Sequence, residues 1–422
     1  MKKILWLCNT IFSETKITGT GSWLQPLAEK LQESGEVQII NITSGKTDTV
    51  IRQDFGSIQQ WIIPIRPGKG YGQIASKTTC TEIAQIEEKV APDLVHIWGT
   101  EQIWASVYQQ GFIKTKALLD IQGLLFSYTD YYYGGLSFSD ILHCIHLKEM
   151  MMPWRTLWNK KRIFRKRGLT ELACLEDISC ISYQSEWVKN QLVDINPTAR
   201  YFPTKIMLRN MFYDCAPWKY TPCGNKPVIF SFCSAAVPYK GMHTLLKALS
   251  ILKQKYPHIT LNLAGRINVG NKLLDGYSIF LHKLIKRYNL EDNVHYTGPL
   301  NEAQIIGHLQ KSNVCVVPSY IETYCLAFAE SMIVGVPTVA SFAGAMPELA
   351  VHEREALFYN SMDYKTCAAH ISTLIENKEY AEFISKNGLS RRKKQNDINT
   401  VVQTQLNIYN SIIQTERLCP NQ

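Results

Sequence analysis

Two periods run through this chain. Short apolar runs rich in Val, Ile and Leu alternate with longer stretches in which apolar residues return every three or four positions. That is the pattern of buried strands interleaved with amphipathic helices. In the first half, the runs at residues 4–8, 37–42, 60–65, 94–98, 117–121 and 178–182 predict strands. In the second half, strands are predicted at residues 228–233, 260–264, 294–297, 313–317 and 336–341. Helices are predicted at residues 23–34, where Gly35 supplies a stop, and at 242–255, 279–288, 301–309 and 324–334. Three more, at 364–376, 381–386 and 400–414, close the chain. Alternation of this kind predicts an α/β chain with parallel sheets. At 422 residues the chain exceeds one ordinary core, so two domains are expected. Residues 216–226 are Pro-, Cys- and Gly-rich without a period and predict the linker. The expected division is therefore 1–215, 216–395 and a terminal segment, 396–422.

Candidate chemistry concentrates in residues 318–348, PSYIETYCLAFAESMIVGVPTVASFAGAMPE. Glu322 and Glu330 stand there with seven residues between them. Glu322 falls in the loop after a predicted strand, and Glu330 inside the helix that follows. Both acids thus lie near the carboxyl end of the strand, where open parallel sheets bind ligands. Two glutamates at this spacing are commonplace on an exposed helix face. The flanking Pro318-Ser319, the Gly335-Val336-Pro337 turn and the terminal Pro347-Glu348 make the pattern specific.

The pattern resembles retaining glycosyltransferases of family 4, the glycosyl transferases group 1, which have the GT-B fold. The resemblance implies two Rossmann-like domains facing a central cleft, with the nucleotide-sugar donor on the second. It implies that Glu322 contacts the transferred sugar and that Glu330 bonds the ribose, since an ionised carboxylate accepts from two vicinal hydroxyls. Backbone N–H groups of Tyr324, Cys325 and Leu326 at a helix N-terminus would suit the sugar and diphosphate. Lys240, in Pro238-Tyr239-Lys240-Gly241, resembles the family lysine that holds the diphosphate and stabilises the leaving nucleotide. The terminal helix is expected to cross back onto the first domain.

The chain departs from the family at three places. An Arg usually precedes the lysine by five or six residues, where this chain has Ser234 and Ala235. Arg266, after the strand at 260–264, is the preferred substitute. Family members often carry Phe-Gly where this chain has Tyr324-Cys325, and Cys325 is expected to need a negative φ. In the first domain, Gln122 replaces a His near the sugar; Gln forms hydrogen bonds but takes up no proton. His96 and Glu101, at the neighbouring strand end, are acceptor-side candidates, although a buried histidine in a strand is usually a core residue. Gly21, in Gly19-Thr20-Gly21-Ser22 at the first strand-to-helix turn, would let the backbone approach the donor.

Composition adds limits. Charged residues make up 19% and the net charge is +9, which suits an anionic ligand or surface. The 12 cysteines scatter through apolar segments without a CxxC pair or zinc spacing, which fits a reducing cytoplasm. No apolar run approaches the ~20 residues of a membrane span. No Asp-x-Asp occurs to carry a metal–diphosphate, so no metal and no cofactor beyond the nucleotide-sugar co-substrate are expected. Residues 154–167 interleave Trp154, Trp158 and Phe164 with Lys160, Lys161, Arg162, Arg165, Lys166 and Arg167. They read either as a solvated helix face or as a peripheral contact with the inner face of a membrane. No nucleic-acid module accompanies them.

The expected function is therefore transfer of a sugar from a nucleotide-diphosphate sugar to a glycan or lipid-linked hydroxyl, in bacterial surface polysaccharide or glycan synthesis. The alternatives are a nucleotide-sugar epimerase of similar fold and a non-enzymatic sugar-nucleotide-binding descendant.

Overall fold

The computed structural model describes residues 1–14, 21–66, 68–233, 235–265 and 275–418. The chain folds as two compact units. The first comprises Met1–Ser127, Ile163–Met207 and Asn396–Gln422, and the second comprises Tyr128–Arg162 and Leu208–Gln395.

The first unit is built on an eight-stranded sheet: β1 (Lys2–Leu7), β2 (Val37–Gly45), β3 (Ile51–Arg52), β4 (Gln59–Pro64), β5 (Leu94–Trp98), β6 (Ala117–Asp120), β7 (Cys180–Tyr183) and β8 (Arg200–Pro203). Their spatial order is β3-β4-β2-β1-β5-β6-β7-β8. Only β3 runs antiparallel, against β4. In the centre, Ile4 pairs with Ile39 on one side and Leu94 on the other. A strand covered on both faces buries most of its side chains, which is why Ile4–Leu7 and Leu94–Trp98 are largely apolar rather than alternating, with His96 as the exception. Leu5, Leu7, Ile97 and Leu119 form the heart of that core.

The second unit holds a six-stranded, all-parallel sheet: β9 (Val228–Cys233), β10 (Thr260–Gly265), β11 (Val294–Gly298), β12 (Val314–Val317), β13 (Thr338–Ser341) and β14 (Leu357–Tyr359). The order is β11-β10-β9-β12-β13-β14. Both sheets share one topological feature. The chain winds outward from the first strand, then returns to the other side of it. The reversal falls between β1 and β5 in the first sheet and between β9 and β12 in the second. Loops diverge above such a reversal and leave a ligand crevice at the strands' carboxyl ends.

The edge strands β3 and β8 and the three-residue β14 lie outside the sequence expectation. β3 and β8 carry exposed polar residues, and β14 is too short to show a period. The helix expected at 381–386 extends over Lys378–Gln395 and includes Gly388, a residue that weakens helices. A Cβ at Gly388 would sit 2.8 Å from the carbonyl oxygen of Glu355, so close packing overrides propensity there.

Residues 128–162 pack with the second unit, although they precede the expected linker. His243 Nε2 donates to Gly134 O at 2.8 Å, and Gly276 N donates to Glu149 Oε1 at 3.1 Å. Gly134, at φ +57°, permits the approach: a Cβ there would lie 2.2 Å from Pro238 O. Residues 216–226 are also held on this unit, since Trp218 donates from its backbone N to Val334 O and from Nε1 to Ser312 O. The helix Ile398–Leu418 packs in the first unit, where Tyr409 Oη accepts from Trp6 Nε1 at 3.1 Å.

Candidate functional site

The chain leaves β9, makes one short turn at Pro238–Lys240 and enters the helix Met242–Lys255 through Gly241 at φ +72°. Glycine is required at that position. A Cβ would meet Pro318 O at 1.8 Å, so the loop after β9 touches the loop after β12 backbone to backbone. Tyr320 N donates to Tyr239 O at 2.7 Å and ties the two loops together.

This contact brings Lys240 to Glu322, 82 residues further along. Lys240 Nζ donates to Glu322 Oε1 at 2.6 Å, and Ser319 Oγ donates to the same oxygen at 2.6 Å. Burial works against the Lys240 ammonium, but the Glu322 carboxylate outweighs it, so the lysine pKa is raised and the group stays charged. Glu322 is itself held from the third loop of the sheet. Its carbonyl accepts from Ala345 N at 2.9 Å, and Gly344 leaves room, since a Cβ there would lie 2.2 Å from Glu322 O. The Tyr128 hydroxyl accepts from Thr323 N at 3.1 Å and closes the other side. Neutral His243 braces the floor: Tyr277 Oη donates to Nδ1, and burial pushes the ring pKa down to about 4.

The helix Leu326–Val334 starts directly after Glu322-Thr323-Tyr324-Cys325 without a side-chain cap. Cys325 caps it in the left-handed region, at φ +84°. The expectation of a negative φ is therefore corrected. A β-carbon in that region costs about 1–2 kcal/mol, and the surrounding loops over-determine the conformation. Tyr324 is buried beside Arg392, and Leu326 is partly exposed at the first turn.

One turn further, Glu330 is buried and bound by Arg209. Arg209 Nε donates to Oε1 at 2.8 Å and Nη2 donates to Oε2 at 2.7 Å, a two-bond fork. Burial raises the Glu330 pKa, and the guanidinium pulls against that rise. No pattern along the chain points to this pairing. Arg209 lies 121 residues earlier, in a segment whose local pattern predicts nothing. It supplies a buried cation within the second unit. Ser234 and Arg266 lie outside the described residues.

In the first unit, Glu101 and Gln122 come together. A Cβ at Gly99 would meet Glu101 Oε2 at 2.3 Å and Gln122 Cγ at 3.1 Å. Gln122 Nε2 donates to Asp120 Oδ1, which also accepts from Gln184. Burial lifts the Glu101 pKa to about 7, against the pull of Arg167, and lifts Asp120 to about 7 as well. His96 stands apart from this group. It is wholly buried in β5, with its ring tilted 33° to that of Trp98 at a centroid separation of 3.9 Å and hydrogen-bonded to Tyr409 Oη at 2.7 Å, and burial holds it neutral. It is a core residue, because its strand is central and covered on both faces. Gly21, at φ +85°, packs against Thr10, with a hypothetical Cβ 2.6 Å from Thr10 Oγ1. Among the described residues, no three His, Cys, Asp or Glu side chains cluster as metal ligands.

Two Rossmann-like units with loops of this kind define the GT-B fold. Sucrose-phosphate synthase from Thermosynechococcus elongatus superposes with a TM-score of 0.72 at 17% identity, covering 98% of this chain and all of that one. HepE from Anabaena, solved with UDP and glucose, superposes at 0.67 with 16% identity, over 97% of this chain and all of that one. Residues 221–391 match the family model of glycosyl transferases group 1. The uncharacterized glycosyltransferase YqgM of Bacillus subtilis is 32% identical over 189 residues, 44% of this chain and 50% of that protein. The chain spans about half the length of the curated relatives it matches.

Proposed function

We propose that the protein is a retaining, metal-independent glycosyltransferase that moves a sugar from a nucleotide-diphosphate sugar to an acceptor hydroxyl on a glycan or lipid-linked carrier. The observation that supports this best is the Lys240–Glu322 pair at the β9/β12 reversal, beside the uncapped N-terminus of Leu326–Val334. An ammonium has three N–H donors, so Lys240 can hold Glu322 and still reach a diphosphate. The helix N-terminus adds oriented N–H groups for the same charge.

In this reading, the acceptor oxygen bonds to the anomeric carbon on the face from which the diphosphate departs. The bond from that carbon to the diphosphate oxygen breaks, and the acceptor proton passes to the departing diphosphate. Lys240 stabilises the negative charge left on that group. Glu322 orients the sugar hydroxyls, and Glu330, steadied by Arg209, accepts from the ribose.

A thermal-shift series with UDP, GDP and ADP, followed by nucleotide release from the matching donor sugars, tests the proposal. One diphosphate should raise the transition temperature, because a ligand of the native state stabilises it. Lys240→Ala should remove that shift. Glu322→Ala should lower turnover roughly ten- to hundredfold, the worth of one or two hydrogen bonds to a charged group. No shift with any diphosphate and no release from any donor would overturn it.

A further inference from the structure

The segment from Phe138 to Arg162 presents an apolar surface that its own fold leaves bare. The short helix Leu147–Met151 is inverted relative to an ordinary surface helix. Leu147, Met150 and Met151 occupy one face at i, i+3 and i+4 and are 72%, 69% and 70% exposed. Its carboxylate, Glu149, points inward, where Oε1 accepts from Gly276 N. Trp154, in the next turn, is 63% exposed. Phe138 and Trp158 continue the surface, with ring centroids 6.1 Å apart.

This is not a loose loop. Gly276 lies so close to Cys144 that a Cβ on it would fall 1.8 Å from the Cys144 carbonyl oxygen. Ile141 and Leu157 are buried beneath, and a Ser137/Asp140 capping box fixes the start of the helix Phe138–His143. The inner side is anchored and the outer side is apolar.

Charge selects what covers it. Lys148, Arg155, Lys161 and Arg162 lie within the same segment, as does Lys160, which pairs with Asp275 at 3.7 Å. Of its two acids, Glu149 is buried and Asp140 is engaged in the cap. Exposed Leu, Met and Trp with cations in the same segment fit the interface of an anionic bilayer, where Trp settles at headgroup level and Lys and Arg meet phosphates. We propose that this surface is a membrane-docking element that inserts Leu147, Met150, Met151 and Trp154 into an anionic lipid leaflet. The contact centres on apolar residues of the second unit, upstream of most of the basic stretch expected from sequence. It is independent of the donor-site reading.

Vesicle co-sedimentation with the full chain tests this, using phosphatidylcholine with and without phosphatidylglycerol. The wild type should partition at least ~10-fold more strongly onto the anionic vesicles, and salt should weaken it. The variant Leu147→Ser/Met150→Ser/Met151→Ser/Trp154→Ser should lose at least ~10-fold even at low salt. Those four side chains are exposed, so its thermal transition should match the wild type. Lys148→Glu/Arg155→Glu should lose binding to the anionic vesicles. Brominated lipid should quench wild-type fluorescence more than that of Trp154→Phe.

Absence of wild-type binding would overturn the proposal. So would wild-type binding by the serine variant, which would leave charge alone as the cause. A dimer in light scattering that the serine substitutions dissolve, without vesicle binding, would assign the surface to a second copy of the chain instead.

Discussion

At the scale of single residues, the Arg209–Glu330 fork is the most consequential contact. Both side chains are nearly buried, at 10% and 6% exposure, so each depends on the other to offset its lost hydration. Arg209→Ala should therefore lower the unfolding free energy by about 3 kcal/mol, and Glu330→Ala by a similar amount. The double variant Arg209→Met/Glu330→Leu should cost less than either single one, since no charge is left alone. Urea unfolding of the four proteins compares these costs. Nucleotide affinity separates the roles. If Glu330 also holds the ribose, Glu330→Ala weakens binding roughly tenfold or more, the worth of hydrogen bonds to a charged group. Unchanged affinity would leave the fork as a purely structural contact. Cys325 belongs to the same scale. The backbone of the loop that carries Glu322 demands a left-handed residue there, and the chain supplies one with a side chain.

At the scale of elements, the loops after β5 and β6 and the helix Leu157–Glu176 converge on three carboxyls: Glu101, Asp120 and Glu171. Glu171 is fully buried. It is bonded by the Thr100 hydroxyl and by Phe126 N at 2.9 Å, and burial pushes its pKa up to about 8. The folded state therefore keeps a proton on Glu171 that the unfolded chain releases near its ordinary pKa of 4.5. Stability from this group is present below about pH 4.5 and is lost as pH rises towards 8, since the unfolded state then binds fewer protons. Glu171→Gln removes that dependence while retaining the shape. The variant should equal the wild type near pH 4.5 and exceed it by at least about 1 kcal/mol at pH 8.5, given roughly 1.4 kcal/mol per pKa unit. Denaturation midpoints at the two pH values measure the difference. Equal midpoints at pH 8.5 would show that Glu171 carries no such proton.

For the whole molecule, metal independence is the sharpest expectation. It rests on the missing Asp-x-Asp and on Lys240, a fixed cation that can meet the diphosphate instead of a metal. Sugar transfer should persist at full rate in excess EDTA. Loss on chelation, with recovery on adding Mg²⁺ or Mn²⁺, would place a metal in the reaction. No described helix is long and apolar enough to cross a membrane.

The amino-acid sequence determined what short-range periodicity can carry. The runs at residues 228–233 and 94–98 are strands because strands buried on both faces need mostly apolar residues, interrupted here only by Ser231 and His96. Residues 242–255 and 364–376 are helices over the span their repeats predict. Glu322, Glu330 and Lys240 were legible as candidates through the resemblance of their flanking residues to a family pattern, each falling after a strand, in a loop or the helix after it. Tertiary structure alone decided their partners. Lys240 meets Glu322 because Gly241 and Pro318 touch without a side chain between them. Arg209 meets Glu330 across 121 residues, a pairing that no window along the chain contains. His96 became a core residue only when β5 was enclosed by β1 and β6. Residues 128–162 joined the second unit only when Gly134 could lie against Pro238. In each case the deciding quantity is a distance between segments far apart in sequence, set by how closely two backbones can approach.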